Sequence, residues 1–210
     1  MSSQNFPTTS QKRTIPLPPY TEIQIGDILV SRYSKSQWTK LFPWEDWHHA
    51  ALITKTNPLT IIEAAGENDE GQAFGPEEIL FNESVGFGKA KDLLEIVWLR
   101  PKFPNPIREM AHKKIKRSKR KVITEKEARK RVKAFARQQL NEPYSLKATK
   151  WSEGAWYCSL LVYKSYSRSI TDMYLETYLI VKGGFFVTPE DVFKSNRTEK
   201  YFKSIILPSK

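Results

Sequence analysis

Hydrophobic and polar residues alternate in several short stretches of the first half of the chain, which is the pattern of β-strands. It predicts four strands: I-L-V-S-R-Y (28–33), H-H-A-A-L-I-T (48–54), L-T-I-I-E-A-A (59–65) and L-E-I-V-W-L-R (94–100). The turn signal K-T-N-P (55–58) joins the second and third strands into a predicted hairpin. Pro101 and Pro104 end the fourth strand, and residues 76–80 are predicted to form one helical turn.

The second half of the chain carries the 3.6-residue period of helices. T-E-K-E (124–127) is typical of a capping box, in which the Thr hydroxyl accepts a hydrogen bond from the Glu amide three residues on. Apolar residues then recur on one face: Ala128, Val132, Phe135, Ala136 and Leu140. N-E-P (141–143) ends this helix, a second is predicted over residues 157–167, and a third follows Thr188 as N-cap. Strands followed by helices predict an α+β fold.

The composition favours one packed domain after a short tail. Residues 1–20 are polar and proline-rich, so we expect a flexible or extended tail there. The chain is 40% hydrophobic and 12% aromatic, which is enough for a single domain with a substantial core over residues 21–210. A basic insertion or connection around residues 107–123 is predicted to be exposed.

The net charge of +11 comes from one part of the chain. Residues 108–137 contain fourteen Lys or Arg and three Glu, so this segment accounts for the whole excess. A stripe of this kind can contact an anionic surface, and we predict such a contact through residues 113–133. The alternative is a solvated face that serves solubility. Aromatic residues of the kind found in RNA-binding motifs do not accompany the stripe, so no specific nucleic acid is expected.

Several features indicate the cellular compartment and argue against a metal. The first residues contain no apolar signal region, and no run approaches the roughly 20 apolar residues that a membrane span requires. The single cysteine cannot form an intramolecular disulfide, and no Cys/His cluster has zinc-ligand spacing. We therefore expect a cytoplasmic protein without a metal or other cofactor.

That single cysteine, Cys158, has two interpretations. Free cysteines are often buried and pack like small hydrophobic residues. The preceding W-S-E-G-A-W-Y (151–157) is polar and aromatic and contains a glycine, so the predicted helix begins within a residue or two of Cys158. A helix N-terminus stabilises a thiolate through its unpaired amides and its dipole. This position favours a nucleophile over a structural thiol.

A cysteine nucleophile needs a base, and the chain has three histidines. His112 lies in the basic stretch and is expected to be a solvated surface residue. Strand alternation puts His48 and His49 on opposite faces, so only one of them can face a given site.

Glu63 is an ionisable residue in an otherwise apolar strand, a position that is costly unless the carboxylate has a partner. Three or five unpaired residues in the hairpin would place His49 and Glu63 on the same face, and four would place them on opposite faces. The alternative is that Glu63 lies on an edge strand and points to water.

An ordered set of short motifs resembles a known family. The motifs are G-D-I-L (26–29), H-x-A-L-I (49–53), I-I-E-A (61–64), N-E-P-Y-S (141–145), Y-C-S-L-L-V-Y-K-S-Y (157–166) and V-T-P-E-D-V-F-K-S (187–195). Together they are similar to the YiiX/YebB-like branch of the circularly permuted NlpC-type, papain-like cysteine hydrolases. In that family the His strand precedes the Cys helix, as it does here. The resemblance implies an antiparallel sheet or partial barrel packed against helices, including the cysteine helix.

The resemblance also implies roles for particular residues. Cys158 would be the nucleophile, His49 the general base and then acid, Glu63 the residue that orients the imidazole, and Tyr144 part of the substrate pocket. The Cys158 amide would donate to the oxyanion. The chain departs from the usual pattern at residues 141–142, where Gly and a basic residue are common, and at His48, where Ser is usual.

Large aromatic residues flank the candidate residues in sequence and predict an aromatic-walled substrate cleft. The three that we assign to its wall are Trp47, Trp156 and Tyr157. Packing in the core is the alternative role for these side chains.

Our first hypothesis for function is a cysteine hydrolase that cleaves an amide bond in a small peptide or amino-acid conjugate through an acyl-enzyme. A second hypothesis is a thioesterase or acyltransferase acting on a lipid-derived substrate, because related permuted families use lipid acyl groups. A non-catalytic binding module that uses the basic segment is a third.

Overall fold

A computed structural model of the chain describes residues 14–34, 43–67, 73–111, 114–175 and 185–206. Within these ranges the strands are β1 Ile28–Tyr33, β2 His49–Thr56, β3 Leu59–Glu67, β4 Ala73–Leu80, β5 Leu93–Pro101, β6 Arg108–Glu109, β7 Ile170–Thr171 and β8 Thr198–Ile205. The helices are α1 Glu125–Gln138, α2 Cys158–Ser167 and α3 Pro189–Lys194, with a 3₁₀ turn at Arg117–Lys119.

Six of these strands form one antiparallel sheet in the order β4-β3-β2-β1-β5-β8. The short strands β6 and β7 pair separately. Three helices accompany the sheet, so the α+β prediction is confirmed at this level. The sheet brings the start of β2 beside β3 and places both next to the helix that begins at Cys158.

The β2–β3 hairpin contains one irregularity that matters for the site. Asn57 and Pro58 form a two-residue turn that connects the paired residues Thr56 and Leu59, and Lys55 pairs with Thr60 next to them. The register then shifts at Thr54, so that Ala51 rather than Leu52 lies opposite Glu63. The turn and the bulge together leave three residues unpaired, which places Glu63 on the same face as His49.

The prediction of strands from the sequence was incomplete, and one predicted helical turn was wrong. The helical turn predicted at residues 76–80 is wrong, because these residues belong to β4, where Ile79 lies opposite Ile61. Cross-strand pairing overrides the weak local signal, and Pro76 is tolerated because β4 is an edge strand. The last strand, β8, was not predicted.

Both faces of the sheet are buried by apolar side chains. One face packs against the helices; its members include Val30, Leu52, Ile62 and Val97 from the sheet and Leu160, Leu161 and Val162 from α2. The opposite face forms a second cluster that includes Leu29, Ile53, Ile61 and Trp98 together with Phe81 and Phe87 from the segment after β4. The residues between β4 and β5 therefore lie over the face that carries Glu63.

The start of the described chain packs on this second cluster. Ile15 and Leu17 contact it, and the carbonyl of Pro16 accepts a hydrogen bond from Ser204 at 2.6 Å. The rest of the predicted tail, residues 1–13, lies outside the described residues, as does His112.

The helix starts follow from capping. The Thr124 hydroxyl accepts from the Glu127 amide at 3.2 Å, as predicted, whereas the Glu127 carboxylate pairs with Arg131. Thr188 and Asp191 form a full capping box at the start of α3. These contacts satisfy amides that have no partner within the helix.

No helix in the described part of the chain combines the length and apolar character that a bilayer crossing requires.

Candidate active site

Cys158 is the first residue of α2, with Tyr157 in extended conformation as N-cap. The segment before α3 holds this helix start on both sides of the cysteine. The Val187 amide donates to the Tyr157 hydroxyl at 3.0 Å, and the Ser159 hydroxyl donates to the Val187 carbonyl at 2.8 Å. Cys158 is 3% exposed and is not in a disulfide. Its sulfur thus sits at the positive end of a helix that packing and hydrogen bonds fix in place.

His49, at the start of β2, contacts both of the other candidate residues. Its Nε2 lies 2.7 Å from Oε2 of Glu63, in a pair that is almost fully buried. Its ring also lies close enough to Cys158 for the two groups to shift each other's pKa. Because Nε2 faces Glu63, Nδ1 is the ring nitrogen left for the thiol. The structure therefore brings the side chains of Cys158, His49 and Glu63 together, with His49 between the other two.

Glu63 has no exposed surface, so each of its carboxylate oxygens needs a partner. Oε2 meets His49, and Oε1 accepts a hydrogen bond from the hydroxyl of Ser84. The same Ser84 oxygen accepts from the Gly86 amide at 3.1 Å. The alternative of an edge-strand carboxylate pointing to water does not hold, because β4 covers β3 and Glu63 is paired inside the protein.

The backbone at Gly86 packs directly on the His–Glu pair. A Cβ atom at this position would lie 2.4 Å from both Nε2 of His49 and Oε2 of Glu63. The Gly86 carbonyl accepts from the hydroxyls of Tyr33 and Ser31, which anchors it to β1. Only glycine fits this approach.

The next residue, Phe87, places its ring 5.3 Å from the His49 ring. Phe87 is fully buried. The imidazole is therefore held between an apolar ring and a polar network, which restricts its rotation and excludes water from the His–Glu pair.

Opposing effects set the protonation of Cys158. Burial by itself raises the pKa of the thiol, but the charge of His49 and its hydrogen bond lower it. Hydrogen bonds from the backbone of Ala50 and Ser159 lower it further. The net result is a pKa below the ordinary cysteine value, which favours a thiolate.

The partner group shifts in the complementary direction. Burial by itself lowers the pKa of His49, but the charges and hydrogen bonds of Cys158 and Glu63 raise it to about 10. The two shifts together favour a thiolate beside an imidazolium, the charge-separated form that makes a cysteine nucleophilic.

The neighbouring His48 has a different role. Its Nδ1 accepts a hydrogen bond from the Tyr33 amide at 3.1 Å. Burial lowers the pKa of His48, against smaller opposing contributions from Glu45 and Asp46. Strand alternation thus separates the two histidines, and His49 is the one that faces the cysteine.

The four residues predicted to bind substrate occupy different environments. Trp47 is buried and stacks on Phe193 at 4.2 Å, and Trp156 and Tyr157 are also buried. The Tyr144 side chain is half-buried and lies against Gly66, and its backbone bridges to Trp156. Their packing roles are visible, and a role in substrate binding stays a prediction.

Several contributors to the site were not predicted from the sequence. They include Tyr33, Ala50, Ser84, Gly86, Phe87 and Ser159. The stretch E-S-V-G-F-G (83–88) carried a usable signal, because two glycines in a loop often mark a close approach of backbone to another group. The contact from Ala50 is made by its backbone, which no side-chain pattern reveals.

Four arginines of the basic segment form ion pairs within the chain, and of these pairs only Arg129–Asp27 is buried. The pairs are Arg117–Asp172, Arg129–Asp27, Arg131–Glu109 and Arg137–Glu78. The lysines that remain exposed include Lys114, Lys116, Lys119, Lys121, Lys126 and Lys130. These arginine pairs give the segment a structural role, and the predicted contact with an anionic surface stays a prediction.

Among the described residues, no group of three or more His, Cys, Asp or Glu side chains is arranged to hold a metal ion. The chemistry available at the site is that of a thiol, an imidazole and a carboxylate.

Comparison with protein-family models finds no match to this chain, and comparison with curated proteins finds none either.

Proposed function

We propose that this chain is a cysteine hydrolase that cleaves an amide bond in a peptide or amino-acid conjugate through an acyl-enzyme. The observation that carries the proposal is the continuous contact from Cys158 through His49 to Glu63. The order along this line matches nucleophile, base and orienting acid. A thiol kept only for packing would need neither the imidazole nor the buried carboxylate behind it.

The chemistry begins from the thiolate of Cys158 and the imidazolium of His49. The sulfur attacks the substrate carbonyl carbon, and the pair of electrons of the C=O bond moves onto oxygen. Collapse of this intermediate breaks the C–N bond while His49 gives its proton to the leaving amine. His49 then takes a proton from water, and the resulting hydroxide attacks the thioester carbon. The C–S bond breaks, which releases the carboxylic acid product and restores the Cys158 thiolate beside the His49 imidazolium.

The helix start supplies donors for the negative charge. The amide of Cys158 lies in the first turn, where amides have no acceptor within the helix. It is the donor we assign to the oxyanion of the intermediate. The Ala50 and Ser159 amides hydrogen-bond the sulfur itself.

The order of the site residues supports assignment to the circularly permuted papain-like hydrolases of the NlpC type. The histidine strand comes first, the acidic strand second and the cysteine helix last. An antiparallel sheet lies against that helix, as the resemblance of residues 26–195 to the YiiX/YebB-like branch leads us to expect.

The proposal is tested by incubating the protein with a pool of synthetic peptides and following new termini by mass spectrometry. We expect cleavage by the wild type and a covalent acyl adduct on Cys158. A Cys158→Ala variant should give neither, and a Ser118→Ala variant on the exposed 3₁₀ turn should behave as wild type. Absence of cleavage and adduct in the wild type, or cleavage that survives Cys158→Ala, would contradict the proposal.

A further inference from the structure

A cavity of about 560 Å³ lies against α2. Its wall includes Lys164 of α2, Arg168 immediately after α2, and Trp156, and it contains none of Cys158, His49 and Glu63. Lys164 follows Cys158 by six residues, which is roughly 9 Å along a helix axis at about 1.5 Å per residue. Cavities of roughly 300–1,000 Å³ are the usual size of small-molecule sites.

Lys164 is an unusual residue for a buried helix face. It is 1% exposed, and its Nζ has no hydrogen-bond acceptor among the residues that the structure describes. Its described contact is with the Trp156 ring, whose centroid lies 5.1 Å from Nζ. A buried ammonium without an acceptor is costly, and a ring face offsets only part of that cost.

Trp156 presents a second donor in the same wall. Its indole Nε1 is buried and also has no acceptor within the described residues. The ring itself is fixed by an edge contact with Phe135 at 6.1 Å between centroids. Lys164 and Trp156, each with a buried donor that has no acceptor among the described residues, therefore line the same cavity, and buried donors are normally satisfied.

The charges around the cavity are unbalanced. Its charged lining residues are Lys164, Arg168 and Glu153. Arg168 donates to Glu153 at 2.7 Å in an exposed pair, so these two charges compensate each other. The lining therefore has more positive than negative charge, and the Lys164 ammonium has no hydrogen-bond acceptor among the described residues.

We infer that this cavity binds a small molecule through an oxyanion, a carboxylate or phosphate, that accepts hydrogen bonds from Lys164 Nζ and Trp156 Nε1. The lysine stem is flexible enough to turn its ammonium toward the cavity. Met110 and Phe135 supply apolar wall for the rest of the ligand. Burial lowers the pKa of Lys164, as does Arg168, against a smaller opposing effect of Glu153. A bound anion favours the charged ammonium.

This inference does not rest on the proposed hydrolase function. It is tested by isothermal titration calorimetry with phenyl phosphate and with benzoate, and with benzyl alcohol as the neutral control. We expect saturable binding of one equivalent of at least one anion and none of the alcohol. The anion that binds with the higher affinity identifies the ligand class. Binding of neither anion, or equal binding of benzyl alcohol, overturns the inference.

Matched variants locate the binding. Lys164→Met keeps the stem and removes the charge, so it should weaken anion binding by at least about tenfold. Lys130→Met, on the exposed face of α1, should bind as wild type. Trp156→Phe keeps an aromatic ring and loses the donor, and should weaken binding about threefold to tenfold.

Titration of a Cys158→Ser variant separates this cavity from the active site. Binding should persist there at wild-type strength. Wild-type binding by both Lys164→Met and Trp156→Phe, or loss of binding in Cys158→Ser, would overturn the assignment to this cavity.

Discussion

Gly86 lies so close to His49 that no side chain can stand between them. A Cβ atom at Gly86 would come within 2.4 Å of the imidazole Cδ2 and Nε2, which is far inside van der Waals contact. The Gly86 carbonyl is held from the other side by Tyr33. The segment after β4 therefore packs directly on the imidazole that β2 carries.

Gly86→Ala should disturb the site more than the fold. The new methyl group must push His49 or Glu63 aside, and displacement of a catalytic group by about 1 Å can cost about 10²-fold in rate. We expect iodoacetamide to alkylate Cys158 about 10²-fold more slowly, with a loss of about 1–3 kcal/mol in the free energy of unfolding. Timed mass spectrometry and urea unfolding measure the two effects.

The control is Gly154→Ala, the same substitution at a backbone φ of +73°. There the methyl group meets only Glu142, at an ordinary 3.6 Å. This variant should lose about 1–2 kcal/mol through backbone strain and keep the wild-type alkylation rate. Equal alkylation rates in the two variants would show that Gly86 does not position the imidazole.

Glu63→Gln should destabilise the imidazolium form of His49 without creating a cavity. The amide keeps the shape of the side chain but removes the negative charge that raises the pKa of His49. The thiolate then loses part of its counter-charge, and alkylation at neutral pH should slow by about tenfold for each unit that the Cys158 pKa rises. Pseudo-first-order alkylation rates measure this effect.

Glu83→Gln is the matched control, since Glu83 is exposed in the segment after β4. Its alkylation rate should equal that of wild type. An unchanged rate in Glu63→Gln would mean that the carboxylate contributes packing alone.

The pH dependence of alkylation follows from the two shifted pKa values. Because the pKa of Cys158 is lowered, the wild-type rate should hold at pH values below the ordinary thiol pKa and fall only as acid protonates the thiolate. Because the pKa of His49 is raised to about 10, amide cleavage should decline at higher pH as the leaving amine loses its proton donor. Alkylation rates measured down to about pH 4 and cleavage rates measured up to about pH 11 cover the two limbs. A wild-type thiol that reacts only at alkaline pH would contradict these shifts.

Asp27→Asn should destabilise the fold without changing the site chemistry. Asp27 is fully buried, and its oxygens lie 3.1 Å from Arg100 and 3.1 Å from Arg129. Removing the carboxylate takes away the buried ion-pair partner of both guanidinium groups and leaves Arg129 with Glu125 as its ion-pair partner, at a cost of about 3–5 kcal/mol. Urea unfolding measures the loss, and exposed Asp92→Asn should stay within about 0.5 kcal/mol of wild type. A loss for Asp27→Asn no larger than that of the control would show that the ion pairs add little.

The sequence predicted the start of the cysteine helix because local signals decide a helix start. The polar and aromatic residues before Cys158 lack a helical pattern, and the observed N-cap is Tyr157, one residue before it. Strands β1, β2, β3 and β5 were likewise predicted, because the sequence of each contains an alternating or apolar run.

The face shared by His49 and Glu63 could not be predicted, because it depends on one bulged residue. Without the shift at Thr54, the register would place Leu52 opposite Glu63, and the carboxylate would lie on the other face from His49. Ser84 and Gly86 were missed for a related reason, since residues distant in the chain meet only after the sheet forms.

Alkylation of Cys158 by iodoacetamide at about pH 6 tests the central claim most directly, because an unactivated thiol is nearly inert there. Peptide mass spectrometry gives the rate for the wild type, His49→Ala and the neighbouring control His48→Ala. The wild type and His48→Ala should react readily, and His49→Ala should react at least about 10²-fold more slowly. A wild-type thiol that is inert at this pH, or a His49→Ala variant that reacts at the wild-type rate, would contradict a thiolate activated by His49.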